Sequence, residues 1–399
     1  MMALTNGQLV VIVNLLFNIS DGLLTLLARH MHQTGGTHFT QGLLHSATFI
    51  IQSFSKDFID ECFYGRKMAL HMCLFAEFLC FFTAVFYWDV WSLFLCKLFC
   101  VLFNQMSQLA KEYIEKSEPP SMHITYSNLI DVTCMGGLLI GLILGSYIYS
   151  CTRELATNAL FASVLTVSTV LLMQYVEEDT DIKRPQTHFK QMPSICYHRL
   201  KNLKTVNYKK HWDCMLLQAA YTTTFSIYFV RFCFLLVFNY NLGTVVVGYS
   251  IAYQHMWLFA TSMLVPFVKE RVQNKKKLFE HSLLISGFLL PGLYYAPSYE
   301  CYLFLLIPMF FCFMLVNALL DDDALGLSLK PDVFEASNTI AYLVNVIGPI
   351  FFGIVCQYFG GYGFKFFSLL PMVICVYLLN QRFMKTEQEQ ETEARIKQD

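Results

Sequence analysis

Apolar runs long enough to cross a bilayer alternate with short polar segments along the whole chain. A transmembrane helix needs about 20 mostly apolar residues. On that scale the pattern predicts twelve helical spans, at 8–28, 41–55, 68–88, 91–110, 128–150, 155–176, 213–238, 245–268, 278–296, 300–320, 337–359 and 363–384. The second span is the shortest. Asn14, Asn18 and Asp21 interrupt the first, and no small-residue cleavage site follows it, so it is expected to be retained. The longest polar segment opens acidic with Glu177, Glu178, Asp179 and Asp181 and then turns basic. It leaves six spans on either side. The expected organisation is an N-terminal six-helix half over 1–176, a cytoplasmic linker over 177–212, a C-terminal six-helix half over 213–384 and a solvated tail over 385–399, within an all-α integral membrane fold.

Composition agrees with a lipid-solvated chain. Of 399 residues, 55% are hydrophobic and 14% charged. An average soluble domain carries about 25% charged residues, and a soluble fold could not hide this much apolar surface. The distribution of charge tests the division independently. With the N-terminus inside, outer loops hold only Arg29, Arg153 and Lys365, and Lys97 and Arg231 lie within spans. All the remaining Lys and Arg, of 28 in total, fall in segments assigned to the cytoplasm. That is the positive-inside pattern, and it expects both termini in the cytoplasm. A formal net charge of −1 provides no field for nucleic acid.

The 14 cysteines fall mostly inside apolar runs, as with Cys73, Cys80, Cys96, Cys100, Cys233 and Cys312. They have no metal-ligand spacing and read as small buried thiols. No phosphate-binding loop, zincin pair or nucleophile elbow is present. The expectation is therefore no enzyme, no cofactor and no metal.

The two halves share punctuation. Pro119 and Pro120 lead through Ser127 and Asn128 into a span with Gly137, Gly141 and Gly145. Pro331 leads through Ser337 and Asn338 into a span with Gly348, Pro349 and Gly353. Glycines every four residues line one helical face and admit a neighbouring backbone. Paired Gly/Pro-bearing helices are expected of transporters built from repeats. On these residues the chain resembles the major facilitator superfamily. Gly65-Arg66-Lys67 is similar to the end of that family's signature loop, and the Gly137 series to the fifth-helix motif of its proton-coupled antiporters, with Ser146 where those often have Pro. Lys97 sits where the family usually has Arg, and Tyr113-Ile114 follow at the spacing of tetracycline-efflux-like members. The phrase from Gly137 to Ser146 and the Gly348-Pro349 segment resemble the branch of solute carrier family 22 member 18, the organic-cation-transporter-like protein. In one departure, Cys62 stands where the signature loop has Asp, with Asp60 and Glu61 close by. The resemblance implies two pseudo-symmetric six-helix halves, alternating access and proton-coupled antiport of a small organic solute, cationic or drug-like, by a monomer in a bilayer.

Ionisable groups inside spans are expensive and are functional candidates by default. Asp21, Glu77, Lys97 and Arg231 are four such groups. A desolvated Asp21 or Glu77 can exchange protons near neutral pH, with Lys97 or Arg231 as partner or anion-binding charge. Asn14, Asn18 and Asp21 share one helical face, which suggests a polar cavity wall. Gln105 and Gln254 are further cavity candidates, and His255 is a candidate proton relay. Gly65, Arg66, Lys67, the Gly137 series, Gly348 and Pro349 are the packing and gating candidates. Two other readings stay open. Cys62 in the signature loop favours a non-transporting sensor or accessory protein, and an uncoupled facilitator would need no titrating group.

Overall fold

Backbone amides inside hydrocarbon must find their partners within the chain, and helices satisfy them locally. The computed structural model describes residues 5–24, 36–63, 65–86, 89–177, 208–320, 336, 338–360, 369–370 and 372–377, and no strand occurs among them. The helices are α1 (Asn6–Leu23), α2 (His38–Cys62), α3 (Arg66–Phe86), α4 (Val90–Phe103), α5 (Met106–Ser117), α6 (Pro120–Thr152), α7 (Leu155–Met173), α8 (Tyr208–Tyr240), α9 (Thr244–Arg271), α10 (Lys275–Tyr295) and α11 (Tyr299–Leu320). A further helix, α12, spans Asn338–Gly360. Residues 369–370 and 372–377 are also helical, within the expected twelfth span. Six stretches among the described residues are long and apolar enough to cross a membrane: Arg66–Phe86, Val90–Ser117, Pro120–Thr152, Leu155–Met173, Tyr299–Leu319 and Asn338–Gly360.

The helix starts are written in the sequence. Thr5 caps α1 through a reciprocal pair with Gln8, each side chain accepting the other's backbone N–H. Thr37 accepts from Thr40 N at the start of α2, and Asp89 from Trp91 and Ser92 N at the start of α4. Pro119 precedes α6, which opens on Pro120, where a missing N–H costs nothing.

Three expected boundaries are corrected. The second span, expected at 41–55, is a helix of 25 residues. Its polar end continues through Lys56, Asp57 and Asp60, while Ile59 stays fully enclosed, so packing extends the helix past its apolar run. The fourth span, expected at 91–110, breaks at Asn104 and Gln105 and resumes as α5. Ser55 of α2 donates to the Leu102 carbonyl at 2.6 Å beside that break. The fifth, expected at 128–150, is a helix of 33 residues, about 50 Å long against a hydrocarbon core of about 30 Å.

The chain divides into two compact units, Met1–Cys196 with Asn241–Phe259, and Tyr197–Tyr240 with Ala260–Asp399. The sequence expects 241–259 in the second half. Of the expected linker, 178–207 lies outside the described residues, as does the tail over 385–399, while α8 already begins at Tyr208.

In the first unit the tightest seam joins α1 and α6. A Cβ on Gly137 would stand 2.7 Å from the Leu15 carbonyl oxygen, and one on Gly145 2.7 Å from that of Leu23. One on Gly141 would collide with the Ile19 carbonyl. The α6 glycines thus face α1 carbonyls at one repeat, and Gly22 of α1 faces Gly141 in return. Around this seam Val10, Val13, Phe17, Leu70, Leu74, Phe103 and Tyr113 form the buried core. Helix α7 is built inside out, as lipid demands. Asn158, Ala159, Ala162, Ser163 and Thr166 face inward, while Leu160, Phe161, Val164 and Leu171 are exposed.

The second unit has an aromatic seam between α8 and α11. The Tyr228 and Tyr302 hydroxyls are 2.9 Å apart, and Tyr221 donates to the Phe313 carbonyl at 3.2 Å. Asn239 donates to the Tyr294 carbonyl of α10 at 3.1 Å.

Two glycines of α6, Gly141 and Gly136, should respond differently to one methyl group. Gly141→Ala forces the α1 seam apart at a cost of about 1–3 kcal/mol and should lower the thermal midpoint of the detergent-solubilised protein. Gly136→Ala meets nothing within 4 Å and should leave the midpoint unchanged or raise it, since Ala is the better helix former by about 1 kcal/mol.

Candidate functional site

Three of the ionisable residues singled out from the sequence meet in the first unit. Lys97 of α4 donates to Asp21 of α1 at 3.3 Å. Both side chains remain partly open, at 33% and 29% exposure. Charges do not face lipid without heavy cost, so a pair that is not fully enclosed is a candidate for contact with water or solute. Glu77 of α3 is enclosed at 1% exposure, and neither carboxyl oxygen has a hydrogen-bond partner among the described residues. Asp21, Lys97 and Cys100 lie within electrostatic range of it. An enclosed, unpartnered carboxylate costs several kcal/mol if it is charged. His255 belongs to the same unit, has Asp21 within electrostatic range, and turns its Nδ1 to the Ile251 carbonyl at 2.9 Å.

The asparagines beside Asp21 hold helices together. Asn14 is fully enclosed and donates to the Ile130 carbonyl at 3.1 Å and to Thr133 at 2.9 Å, while Ser107 donates to its Oδ1 at 2.9 Å. Asn18 donates to the Asn14 carbonyl at 2.7 Å and accepts from the Cys134 thiol. The polar face read from the sequence is therefore a closed seam at Asn14 and an opening at Asp21. Asn158 of α7, not singled out from the sequence, donates to the Leu23 carbonyl at 3.1 Å and the Gly145 carbonyl at 2.8 Å, closing the far end of the α1–α6 seam. Its only sequence signal was one Asn in an apolar run.

A second charged cluster lies where α2 turns into α3. Arg66 pairs with Asp60 and, at 2.8 Å, with Glu112 of α5, which also takes Lys56 at 2.7 Å. Asp60 thus supplies Arg66 with a carboxylate two residues before Cys62, which is exposed. Glu112 was missed in the sequence because its partners are distant along the chain. Nearby, Tyr113 donates to the Glu177 carbonyl at 2.8 Å, and Lys111 pairs with Asp131 at 2.6 Å.

The remaining candidates scatter. Gln105 sits at the α4–α5 break, Gln254 is enclosed in α9, and the Lys67 carbonyl faces His71 Nδ1 at 2.9 Å. Arg231 lies in α8, and its side chain is outside the described residues. Pro349 lies in α12. Gly348, expected to admit a close neighbour, is corrected: among the described residues nothing lies within 4 Å of where its Cβ would stand. Gly65 is equally open, and its place at the α2–α3 turn needs no close packing. No group of three or more His, Cys, Asp or Glu that could hold a metal occurs among the described residues.

No protein-family model and no curated protein matches the sequence. Solved structures do match the fold. The nucleoside transporter NupG superposes with a TM-score of 0.71 at 13% identity, covering 95% of this chain and 99% of that one. The human organic anion transporter MFSD10 gives 0.60 at 15% identity, over 94% and 98%. A bacterial homolog of the human lysosomal transporter Spinster, inward-facing and unoccupied, gives 0.69 at 11% identity, over 95% and 96%. The chain has the major facilitator fold. Within that fold the Asp21–Lys97 pair joins the first and fourth spans, and Arg66 follows the turn between the second and third. Ser146 donates to the Leu142 carbonyl at 2.8 Å, within the glycine-bearing fifth span.

A double-mutant cycle on Arg66→Ala and Glu112→Ala should return a coupling of about 1 kcal/mol, the upper range for partly exposed pairs. Thermal melting of the purified protein measures it, and additivity of the two losses would show that the pair contributes nothing.

Proposed function

We propose that the chain is a secondary active transporter that moves a small organic solute by alternating access, coupled to protons. The observation that carries the reading is an ion pair, Asp21–Lys97, left open to solvent inside apolar spans beside the enclosed, unpartnered Glu77. Inside an apolar span, a pair that is not fully enclosed can exchange its partner for a solute or a proton. In this reading Asp21 attracts a cation when Lys97 releases it, and Glu77 takes up the proton. The fold supports it, because the solved proteins that share it are described as transporters of nucleosides and organic anions and as a D-xylose-proton symporter. Antiport, and a cationic or drug-like substrate, rest on the resemblance to the organic-cation-transporter-like and tetracycline-efflux-like branch. The charge asymmetry supports cytoplasmic termini, and the working unit is taken as one chain.

The sensor reading drew on Cys62 in place of the signature Asp. The pairing of Arg66 with both Asp60 and Glu112 supports a loop that still holds its neighbours.

Proteoliposomes with an imposed proton gradient test the proposal. Tetraethylammonium and 1-methyl-4-phenylpyridinium serve as substrates, and a lumenal pH dye reports protons. Wild type should show uptake linked to a pH signal. Asp21→Asn or Glu77→Gln should lower the coupled signal by about tenfold, the effect of roughly 1.4 kcal/mol, with unchanged elution in detergent. Binding without flux would return the sensor reading, flux indifferent to the gradient would mean a facilitator, and intact coupling in both variants would remove the proton role from these carboxyls.

A further inference from the structure

The second unit carries an apolar groove of about 570 Å³ between α10 and the helical residues 369–377. Leu284, Phe288 and Pro291 form one wall, and Met372, Val373 and Tyr377 the other. At its floor the two helices approach so closely that a Cβ on Gly287 would stand 2.9 Å from Val376 Cγ2. Phe288, Val373 and Tyr377 are exposed, so the groove opens outward from the unit. Apolar side chains alone do not identify an occupant. Charge at one end of the groove does.

Helix α10 opens on Lys275-Lys276-Lys277. Lys277, His281, Leu284, Phe288 and Pro291 recur at intervals of three and four residues, so they share one face of the helix. Along that face the groove begins about 10 Å from Lys277 and ends about 21 Å from it, a length of about 11 Å that is shorter than one leaflet of a hydrocarbon core of about 30 Å. The three lysines occupy the first turn of a helix that has no acid there. Cations in a first turn oppose the helix dipole, a cost that an anion beside them would offset, while Asn274 already accepts the Lys277 N–H at 3.0 Å. Lys277 and His281 are exposed, and Arg271 on the preceding turn adds a further exposed cation, with Glu270 as the acid beside it. His281 directs Nδ1 to the Lys277 carbonyl at 2.6 Å, which orients the ring beside the lysine backbone.

We propose that this face of α10 seats one diacyl phospholipid with a negatively charged head group. The phosphate and its carboxylate or second phosphate lie against Lys277, His281 and the first turn. One acyl chain fills the groove over Gly287. Neither part suffices alone: the cations select the head, and the groove fixes the chain at a set depth. Juxtamembrane Lys and Arg clusters recognise anionic lipid in this way, each cation strengthening attachment about fivefold.

Native mass spectrometry of the delipidated full chain, titrated with palmitoyl-oleoyl phosphatidylserine or phosphatidylcholine, tests the seat. Wild type should retain the serine lipid in preference to the choline lipid, and millimolar inorganic phosphate should not displace it. Lys275→Ala/Lys277→Ala should reduce the preference by roughly 25-fold, two charges at about fivefold each, while leaving choline-lipid retention unchanged. Val373→Trp fills the groove and should lower retention of both lipids. Equal retention of the two lipids by wild type, an unchanged preference in the lysine variant, displacement by free phosphate, or unchanged retention in Val373→Trp would each overturn the proposal.

Discussion

Two helix backbones touch in this protein because four side chains are missing. Gly137, Gly141 and Gly145 on α6 and Gly22 on α1 let the helices meet carbonyl to Cα. In lipid there is no hydrophobic force to press helices together, so close packing and buried hydrogen bonds must do it. Asn14 and Asn158 donate such bonds along the same line, and Asn18 accepts one from the Cys134 thiol. The register of α1 follows from this fit, and so does the position of Asp21, one residue before Gly22. Lys97 can meet Asp21 only because the seam holds α1 in that register. The ion pair is a property of the packing as much as of the charges.

The same unit handles its other carboxyls in two ways. At the α2–α3 turn Asp60 and Glu112 are each paired with a cation. Glu77 is enclosed, with Asp21, Lys97 and Cys100 within electrostatic range but no hydrogen-bond partner among the described residues. Burial without a partner is tolerated where the group gains something by changing its charge. The contrast between satisfied and unsatisfied acids is what singles out Glu77 for the proposed proton role.

Much of the architecture was legible in the sequence because hydropathy and capping are local. Thr5, Asp89 and Pro120 announce their helices within four residues. The ionisable residues were equally visible, since one Asp or Lys in an apolar run stands out. What could not be read was pairing. Asp21 and Lys97 are 76 residues apart, and nothing local joins them. Glu112 looks like an ordinary surface acid until Arg66 and Lys56 converge on it. Local rules also misplaced the second span, because the enclosed Ile59 lies beyond the apolar run and only packing reveals it. Among the described residues nothing packs on Gly348; a glycine shows only that a close approach is permitted.

The broken fourth span has a mechanical meaning. Its upper segment, α4, carries Lys97, and its lower segment, α5, carries Glu112. An unbroken helix would act as a stiff rod, and any tilt imposed at one charge would be delivered to the other. At Asn104 and Gln105 the regular helical bonds give way to tighter turns onto the Val101 and Phe103 carbonyls, so α4 and α5 are separate helices. The salt bridges around Arg66 and the ammonium that meets Asp21 therefore do not share one continuous rod.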